Sequence, residues 1–229
     1  MLLLECICLA GCGVTTQVTC DLAYRNVGTL TEASLRDYGI GVLTPSIVTG
    51  RETDKQIIGE VLSDVLEARV DERSVLSLVE VINLINVGGL ADAYASALEM
   101  YERTGVIPRA ELGKLGAAAG VRYLAKLNLA NFEQTQIERF GIAGLRVLST
   151  NRTRIRLFLE IWDSTDGQIV WYANEELNIA SDRAAEDDLS VRGAATRAVQ
   201  QMLDTVLARS DDALEEDMDE VACTPAGAQ

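Results

Sequence analysis

The sequence of 229 residues contains no histidine. Histidine is the commonest general base and the commonest metal ligand, so its absence removes the usual partner in a catalytic triad. The five cysteines form no C-x-x-C pair or Cys/His cluster, and the sequence therefore gives no indication of a zinc site. We expect a protein without catalytic residues, cofactor or metal.

Long hydrophobic runs and basic charge are also scarce. No stretch approaches the ~20 apolar residues that a membrane-spanning helix needs. The formal net charge is −15, and it is still −8 without the seven acids between residues 211 and 220. Because such a chain repels a phosphate backbone, we do not expect nucleic acid as a partner.

What is present is a short apolar opening that ends in Leu9-Ala10-Gly11-Cys12. These residue types match a lipobox, the motif at which a signal peptidase cuts before the cysteine and the cysteine thiol carries diacylglycerol. The motif predicts a signal peptide over residues 1–11 and lipidation of Cys12, and Gly13 favours the outer membrane. The opening lacks the positive charge usual in such signals, so an apolar N-terminal strand stays the alternative.

The remaining cysteines follow from that interpretation. Cys6 and Cys8 would leave with the signal peptide, so Cys20 and Cys223 would be the only thiols left besides Cys12. In an oxidising periplasm Cys20 and Cys223 can form a disulfide. The alternative is two unpaired thiols near the ends of the chain.

Hydrophobic periodicity divides the rest of the chain into three parts. Residues 12–37 have few periodic apolar positions and predict a lipidated N-terminus and tether, which would extend at most ~85 Å. Residues 38–208 carry regular patterns and predict a single periplasmic domain. Residues 209–229 are acidic and predict a disordered tail.

The patterns in residues 38–208 predict the element order β-α-β-α-α-β-β-β-α. Apolar stripes predict helices over residues 57–66 and 191–207, and the Asp166-Gly167 pair predicts a hairpin turn. Period-two alternation predicts the last three strands, over residues 121–129, 155–161 and 169–173. The fold class is α+β, with a mixed, largely antiparallel sheet of about four to five strands and amphipathic helices packed on one face.

One strand carries candidate partner-binding residues. Arg152, Arg154 and Arg156 alternate in sequence and therefore share one face. They would either form cross-strand pairs with acids such as Glu133 or Glu175, or bind an anionic partner. Trp162 and Trp171 flank the predicted turn with different parity. Core packing is expected for both, but one of them, Trp162, could instead face outward as an anchor for a partner.

Three segments resemble a known group of envelope proteins. Residues 39–45 (GIGVLTP) are similar to the group's opening strand, residues 112–124 to its helix-to-strand passage, and residues 163–171 (DSTDGQIVW) to its hairpin. The group comprises CsgG-like curli secretion lipoproteins, PelC-type polysaccharide-export lipoproteins, LpoB-type activators of peptidoglycan synthases and the TolB amino-terminal domain. The resemblance covers about residues 38–208.

The resemblance implies a non-catalytic outer-membrane lipoprotein that faces the periplasm. Such a protein would act as an accessory or assembly subunit in envelope biogenesis or in the export of a polymer or protein, and it would form homo-oligomers. The alternative is a periplasmic lipoprotein regulator that binds and activates an envelope enzyme. In both cases the partners are the membrane, through the lipid on Cys12, and an envelope protein.

Overall fold

The computed structural model describes residues 16–27, 30–139, 148–181, 189–207 and 219–222. The strands are β1 (Thr16–Asn26), β2 (Ile40–Val42), β3 (Ser46–Ile47), β4 (Val75–Leu76), β5 (Tyr123–Arg139), β6 (Leu148–Asp163), β7 (Ile169–Ser181) and β8 (Asp219–Ala222). The helices are α1 (Glu32–Tyr38), α2 (Glu52–Arg69), α3 (Leu78–Val87), α4 (Ala91–Thr104), α5 (Arg109–Ala119) and α6 (Val191–Leu207).

All eight strands belong to one sheet with the order β4-β2-β5-β6-β7-β1-β8, and β3 pairs with β5 beside β2. The pairings of β2 with β4 and β5, and of β3 with β5, are parallel, whereas the pairings from β5 to β8 are antiparallel. The α+β class and the mixed, largely antiparallel sheet are therefore confirmed. The sheet is larger than the predicted four to five strands because β1 and β8 extend one edge and β3 and β4 are short additions.

The main core lies between one face of the sheet and helices α2 and α6. We call the face of the sheet that these two helices cover the inner face. Helix α2 and helix α6 contact each other, and most of the alternating residues of β5, β6 and β7 that were predicted to share a face pack in this core. Ile169 is an exception, because it packs against the second core on the other face. Leu127, Leu159 and Leu177, one on each of these strands, have no exposed surface.

Three further helices pack on the opposite face, which we call the outer face. Helices α3, α4 and α5 enclose a second core with Leu124 of β5 and Trp162 of β6. The predicted packing on one face therefore holds for α2 and α6 but not for α3, α4 and α5. Leu112 and Leu115 of α5 are buried here, because the helix after Pro108 returns over the end of the sheet next to the β6–β7 turn.

The remainder of the outer face lies beyond these helices. Strands β5, β6 and β7 are 17, 16 and 13 residues long, so they extend well past the second core. A register shift between Leu129 and Asn131 of β5 marks the point where the strand leaves the helix layer.

The folded part of the chain begins earlier than the predicted boundary at residue 38. Strand β1 and all but the last residue of helix α1 lie inside the predicted tether, residues 12–37. Strand β1 pairs with β7 along its whole length and buries Leu22 and Tyr24 in the main core. Four residues of the predicted tail form β8, which pairs with β1; the other residues of the tail after 208 lie outside the described residues.

Within the described residues, no helix combines the length and the apolar character that crossing a membrane requires.

Candidate functional site on the outer face of the sheet

A buried lysine lies under helix α4 on the outer face. Lys126 is 1% exposed, and its Nζ donates hydrogen bonds to the Thr44 carbonyl oxygen at 2.6 Å and to Ser46 Oγ at 2.8 Å. The same Nζ lies 5.0 Å from the centre of the Tyr101 ring. Burial lowers the pKa of Lys126 to about 7, although the nearby carboxylates of Glu102 and Glu160 act in the opposite direction.

Around this lysine, polar groups of α4, β5 and β6 form a chain of hydrogen bonds. Tyr101 donates to Glu160 Oε2 at 2.9 Å, and Trp162 Nε1 donates to the same oxygen at 3.2 Å. Asn128 Nδ2 donates to the Tyr101 hydroxyl at 2.6 Å. Burial raises the pKa of Glu160, and the hydrogen bonds from Tyr101 and Trp162 partly reverse that effect.

This network holds α4 against the sheet. Each ionisable group in it has a partner supplied by the fold, so the cluster is organised as a structural support. It also fixes Trp162, which is 4% exposed. Trp162 was a predicted partner-binding residue, but it lies in the second core, because α3, α4 and α5 cover this end of the outer face.

The three arginines lie on the open part of the outer face, as their alternation predicted. Arg152, Arg154 and Arg156 are all exposed. Arg154 Nε donates to Glu176 Oε1 at 2.7 Å, and Arg156 Nε donates to Glu176 Oε2 at 2.9 Å. Burial acts to raise the pKa of Glu176, but the hydrogen bonds from Arg156 and Arg154 outweigh it and lower the pKa.

The acid that pairs with the arginines is therefore Glu176 and not Glu175. Register pairs Arg156 with Glu176 across β6 and β7, so the two side chains share the outer face. Glu175 has the opposite parity and lies on the inner face with 0% exposure. Glu133, the other acid considered, is opposite Arg154 on β5.

Glu175 has no stabilising partner in the main core. Within the described part of the chain, neither of its carboxylate oxygens has a hydrogen-bond partner. Burial raises the pKa of Glu175 to about 9, so the carboxyl group is protonated at neutral pH. Among the buried ionisable side chains in the described ranges, Glu175 is the one with both carboxylate oxygens unpaired.

A polar groove of about 440 Å³ lies beside the arginines, and strands β5, β6, β7 and β1 all contribute to it. Its lining includes hydroxyl, amide and guanidinium groups and one carboxylate, which come from Gln17, Thr19, Glu133, Thr135, Arg152, Arg154 and Asn178. These groups suit a polar or anionic partner. Arg154 is also bound to Glu176, so such a partner would compete with that ion pair.

At the other end of β6, the predicted turn is held by Asp163. Its Oδ1 accepts hydrogen bonds from the backbone N–H of Thr165 at 2.9 Å and from the Thr165 hydroxyl at 2.7 Å, while Arg122 Nε donates to Oδ2 at 2.8 Å. Burial acts to raise the pKa of Asp163, but these hydrogen bonds outweigh it and lower the pKa. The carboxylate is therefore a turn and ion-pair residue.

The predicted cysteine sites lie at the edge of the sheet and beyond it. Cys20 on β1 is disulfide-bonded. Cys12 and Cys223 lie outside the described residues, so lipidation and the identity of the partner sulfur stay predictions. In the described part of the chain, no group of three or more Cys, Asp or Glu side chains is arranged to hold a metal ion.

Two features of the site were missed from the sequence. Glu175 continues the parity of Trp171 and Ala173, so alternation alone would have placed it inside. Lys126 gave no such signal: it alternates with apolar residues like any outward-facing lysine, and only the return of α4 over the sheet buries it.

Comparisons with known proteins give structural neighbours only. No protein-family model matches the sequence, and the curated proteins include no match. The chain is similar to the PelC dodecamer from Paraburkholderia phytofirmans, with 13% identity, a TM-score of 0.47, and coverage of 86% of this chain and 100% of that one. It is also similar to lipoprotein GNA1162 from Neisseria meningitidis, with 13% identity, a TM-score of 0.38, and coverage of 74% and 97%. At this identity and degree of superposition, neither structure assigns a function.

Proposed function

We propose that this protein is a non-catalytic lipoprotein of the outer membrane that faces the periplasm and serves as an accessory subunit in envelope assembly or in export of a polymer or protein. The observation that carries the proposal is the lipobox ending in Cys12. A single acyl-bearing cysteine would be the membrane anchor. The sheet and its helices would form the body that binds partners.

The disulfide at Cys20 supports an oxidising compartment, because disulfides persist outside the cytosol and are rare within it. We propose Cys223 as its partner. The pairing of β1 with β8 ends at Asp21 and Ala222, which are the sequence neighbours of Cys20 and Cys223, and this supports the proposed pairing. The bridge would fasten β8 to the edge of the sheet.

Metabolic labelling with a palmitate analogue tests the anchor. The wild-type protein should be labelled, and Cys12→Ala should lose the label. Cys8→Ala is the matched control, because Cys8 lies in the predicted signal peptide and its replacement should leave labelling unchanged. Persistent labelling of Cys12→Ala would refute the assignment.

Peptide mapping of the unreduced protein tests the bridge. A linked peptide pair that contains Cys20 and Cys223 is expected, and in Cys223→Ser the Cys20 thiol should become reactive towards maleimide. Two reactive thiols in the wild-type protein would contradict the proposed pairing.

Partner binding is assigned to two surfaces outside the cores. One is the polar groove with Arg152, which the arginine–glutamate pairs do not fill. The other is the exposed side of α3, where Val79, Ile82 and Val87 are 62%, 42% and 87% exposed. An apolar patch of this kind is typical of a protein–protein contact and supports self-association or docking of an envelope protein.

The alternative function is a regulator that binds and activates an envelope enzyme. Light scattering coupled to size-exclusion chromatography of the detergent-solubilised mature protein separates the two. A discrete assembly of several copies favours the export subunit, and a monomer favours the regulator. If α3 forms the contact between copies, Ile82→Lys should reduce the mass of the assembly, while Asn83→Lys on the same exposed side should change it less.

A further inference from the structure

The start of strand β1 lies at one defined end of the sheet. Thr16 pairs with Ser181 of β7, Ser181 pairs with Asn151 of β6, and Asn151 pairs with Gln136 of β5. These four residues form one row across four neighbouring strands, and we call it the Thr16 row. Adjacent strands lie about 4.8 Å apart, so the row spans roughly 14 Å.

Only four residue steps separate Cys12 from the Thr16 row. A fully extended chain covers at most about 3.6 Å per residue, so Thr16 cannot lie farther than about 14 Å from the Cys12 backbone. The predicted tether over residues 12–37 would have allowed ~85 Å. Because β1 lies within that tether, most of its reach is lost.

The opposite end of the sheet is far from the Thr16 row. Strand β6 runs twelve residues from Asn151 to Asp163, at the β6–β7 turn, and this corresponds to about 40 Å at 3.3 Å per residue. Helix α5 packs beside that turn, since Gly116 lies against Ser164. The second core therefore belongs to the end of the sheet away from Thr16.

We infer that the Thr16 end of the sheet rests on the bilayer surface and that the strands point away from it, so the second core and α5 lie on the side remote from the lipid. This inference rests on the proposed lipidation of Cys12. The partner is the headgroup region of a phospholipid bilayer. The observation that supports this orientation is the short chain between Cys12, the residue proposed to carry lipid, and Thr16, the first paired residue of β1.

The residues at this end are compatible with such a surface. Ile137, one position beyond the Thr16 row on β5, is 40% exposed, although large apolar residues on strands usually pack inward. Thr135 and Arg152, next to the row, are exposed as well. An apolar side chain beside polar and basic groups suits the boundary between headgroups and acyl chains.

Photocrosslinking to lipid tests the orientation. The mature lipoprotein is reconstituted into vesicles of radiolabelled phosphatidylethanolamine and phosphatidylglycerol, with p-benzoylphenylalanine in place of Ile137 or, as the matched exposed position at the far end, Gln168. We expect at least tenfold more lipid crosslinking from position 137 than from position 168. Equal crosslinking from the two positions would overturn the inference.

A lengthened tether provides the second variant. Insertion of twenty Gly/Ser residues after Gly13 raises the mean reach by roughly 25 Å. The crosslinking yield at position 137 should then fall several-fold, and an unchanged yield would contradict the role of the short spacer. Palmitate labelling of the same samples distinguishes failure of the proposed function from failure of the orientation. Absence of label refutes the proposed function. Labelled protein with equal crosslinking from positions 137 and 168 refutes the orientation alone.

Discussion

Lys126 on the outer face of the sheet and Glu175 on the inner face are both buried ionisable side chains, but their surroundings differ. On the outer face, Lys126 has hydrogen bonds to Thr44 and Ser46. On the inner face, Glu175 lies among apolar side chains, and both of its oxygens lack partners within the described residues. Burial shifts both pKa values towards the neutral form, but only the lysine is compensated by its surroundings. Burial alone therefore does not reveal which charge destabilises the fold.

The largest expected effect is a gain in stability on removal of the Glu175 carboxyl. Its folded pKa of about 9 exceeds the unfolded value of about 4.3, so the folded state binds more protons between these values and stability falls as the pH rises through that window. Glu175→Gln should raise the free energy of unfolding at pH 8 by about 3 kcal/mol, which corresponds to roughly 6–12 °C in Tm.

Thermal unfolding at several pH values measures this effect. The Glu175→Gln variant should lose the decline in stability between about pH 5 and 9. Glu133→Gln is the control, since it makes the same chemical change on the exposed outer face and should shift stability by less than about 0.5 kcal/mol. If Glu175→Gln were less stable than the wild-type protein, the Glu175 carboxyl would have a stabilising partner. The two buried groups, Glu175 and Lys126, would then no longer differ in this respect.

Lys126→Met should have a smaller effect because two consequences oppose each other. The substitution removes the cost of burying a polar amino group, but it also leaves the Thr44 carbonyl without its donor. We expect a net change within about 1 kcal/mol at pH 8. Denaturant unfolding checks this value, and a loss well above it would mean that the hydrogen bonds dominate.

The pH dependence sharpens the comparison. The folded pKa of Lys126, about 7, lies below the unfolded value of about 10.4, so the unfolded state binds more protons in between and stability rises with pH across that window. This slope is opposite to that of Glu175. In Lys126→Met, the rise in stability above pH 7 should be flattened. Lys126→Arg should be less stable than the wild-type protein even above pH 7, because the guanidinium cannot lose its proton.

The smallest expected effect concerns the ion pairs on the open outer face. Glu176→Gln should cost less than about 1 kcal/mol, since Arg154 and Arg156 are about half exposed and solvent screens their pairing. The loss should shrink further in 1 M salt. Stability measured at low and high salt tests this; a large, salt-independent loss would mean that these charges are shielded by a partner or a second copy.

The parts of the fold that local pattern controls were predictable. Helices α2 and α6 and strands β5 to β7 follow from apolar spacing, and the turn after Asp163 follows from its Asp-Gly pair. Strand β1 also alternates, with Val18, Cys20, Leu22 and Tyr24 at every second position, but its polar neighbours favoured a tether. Its place in the sheet depends on pairing with β7, whose partner residues lie 145 to 165 positions later in the chain.

The candidate site was predicted in part. Alternation was sufficient to place Arg152, Arg154 and Arg156 on one exposed face. It did not reveal that α3, α4 and α5 return over the outer face, which buries Trp162 and Lys126. Whether Glu175 or Glu176 pairs with the arginines depends on the register between β6 and β7, which the sequence of a single strand does not determine.

The central claim is that Cys12 carries lipid and holds the Thr16 end of the sheet at a membrane. Mass spectrometry of the N-terminal peptide, taken after reduction from protein purified out of the membrane fraction, tests it most directly. We expect a peptide that begins at Cys12 and carries the added mass of a diacylglyceryl group. A soluble protein that retains residues 1–11 with an unmodified Cys12 would contradict the account.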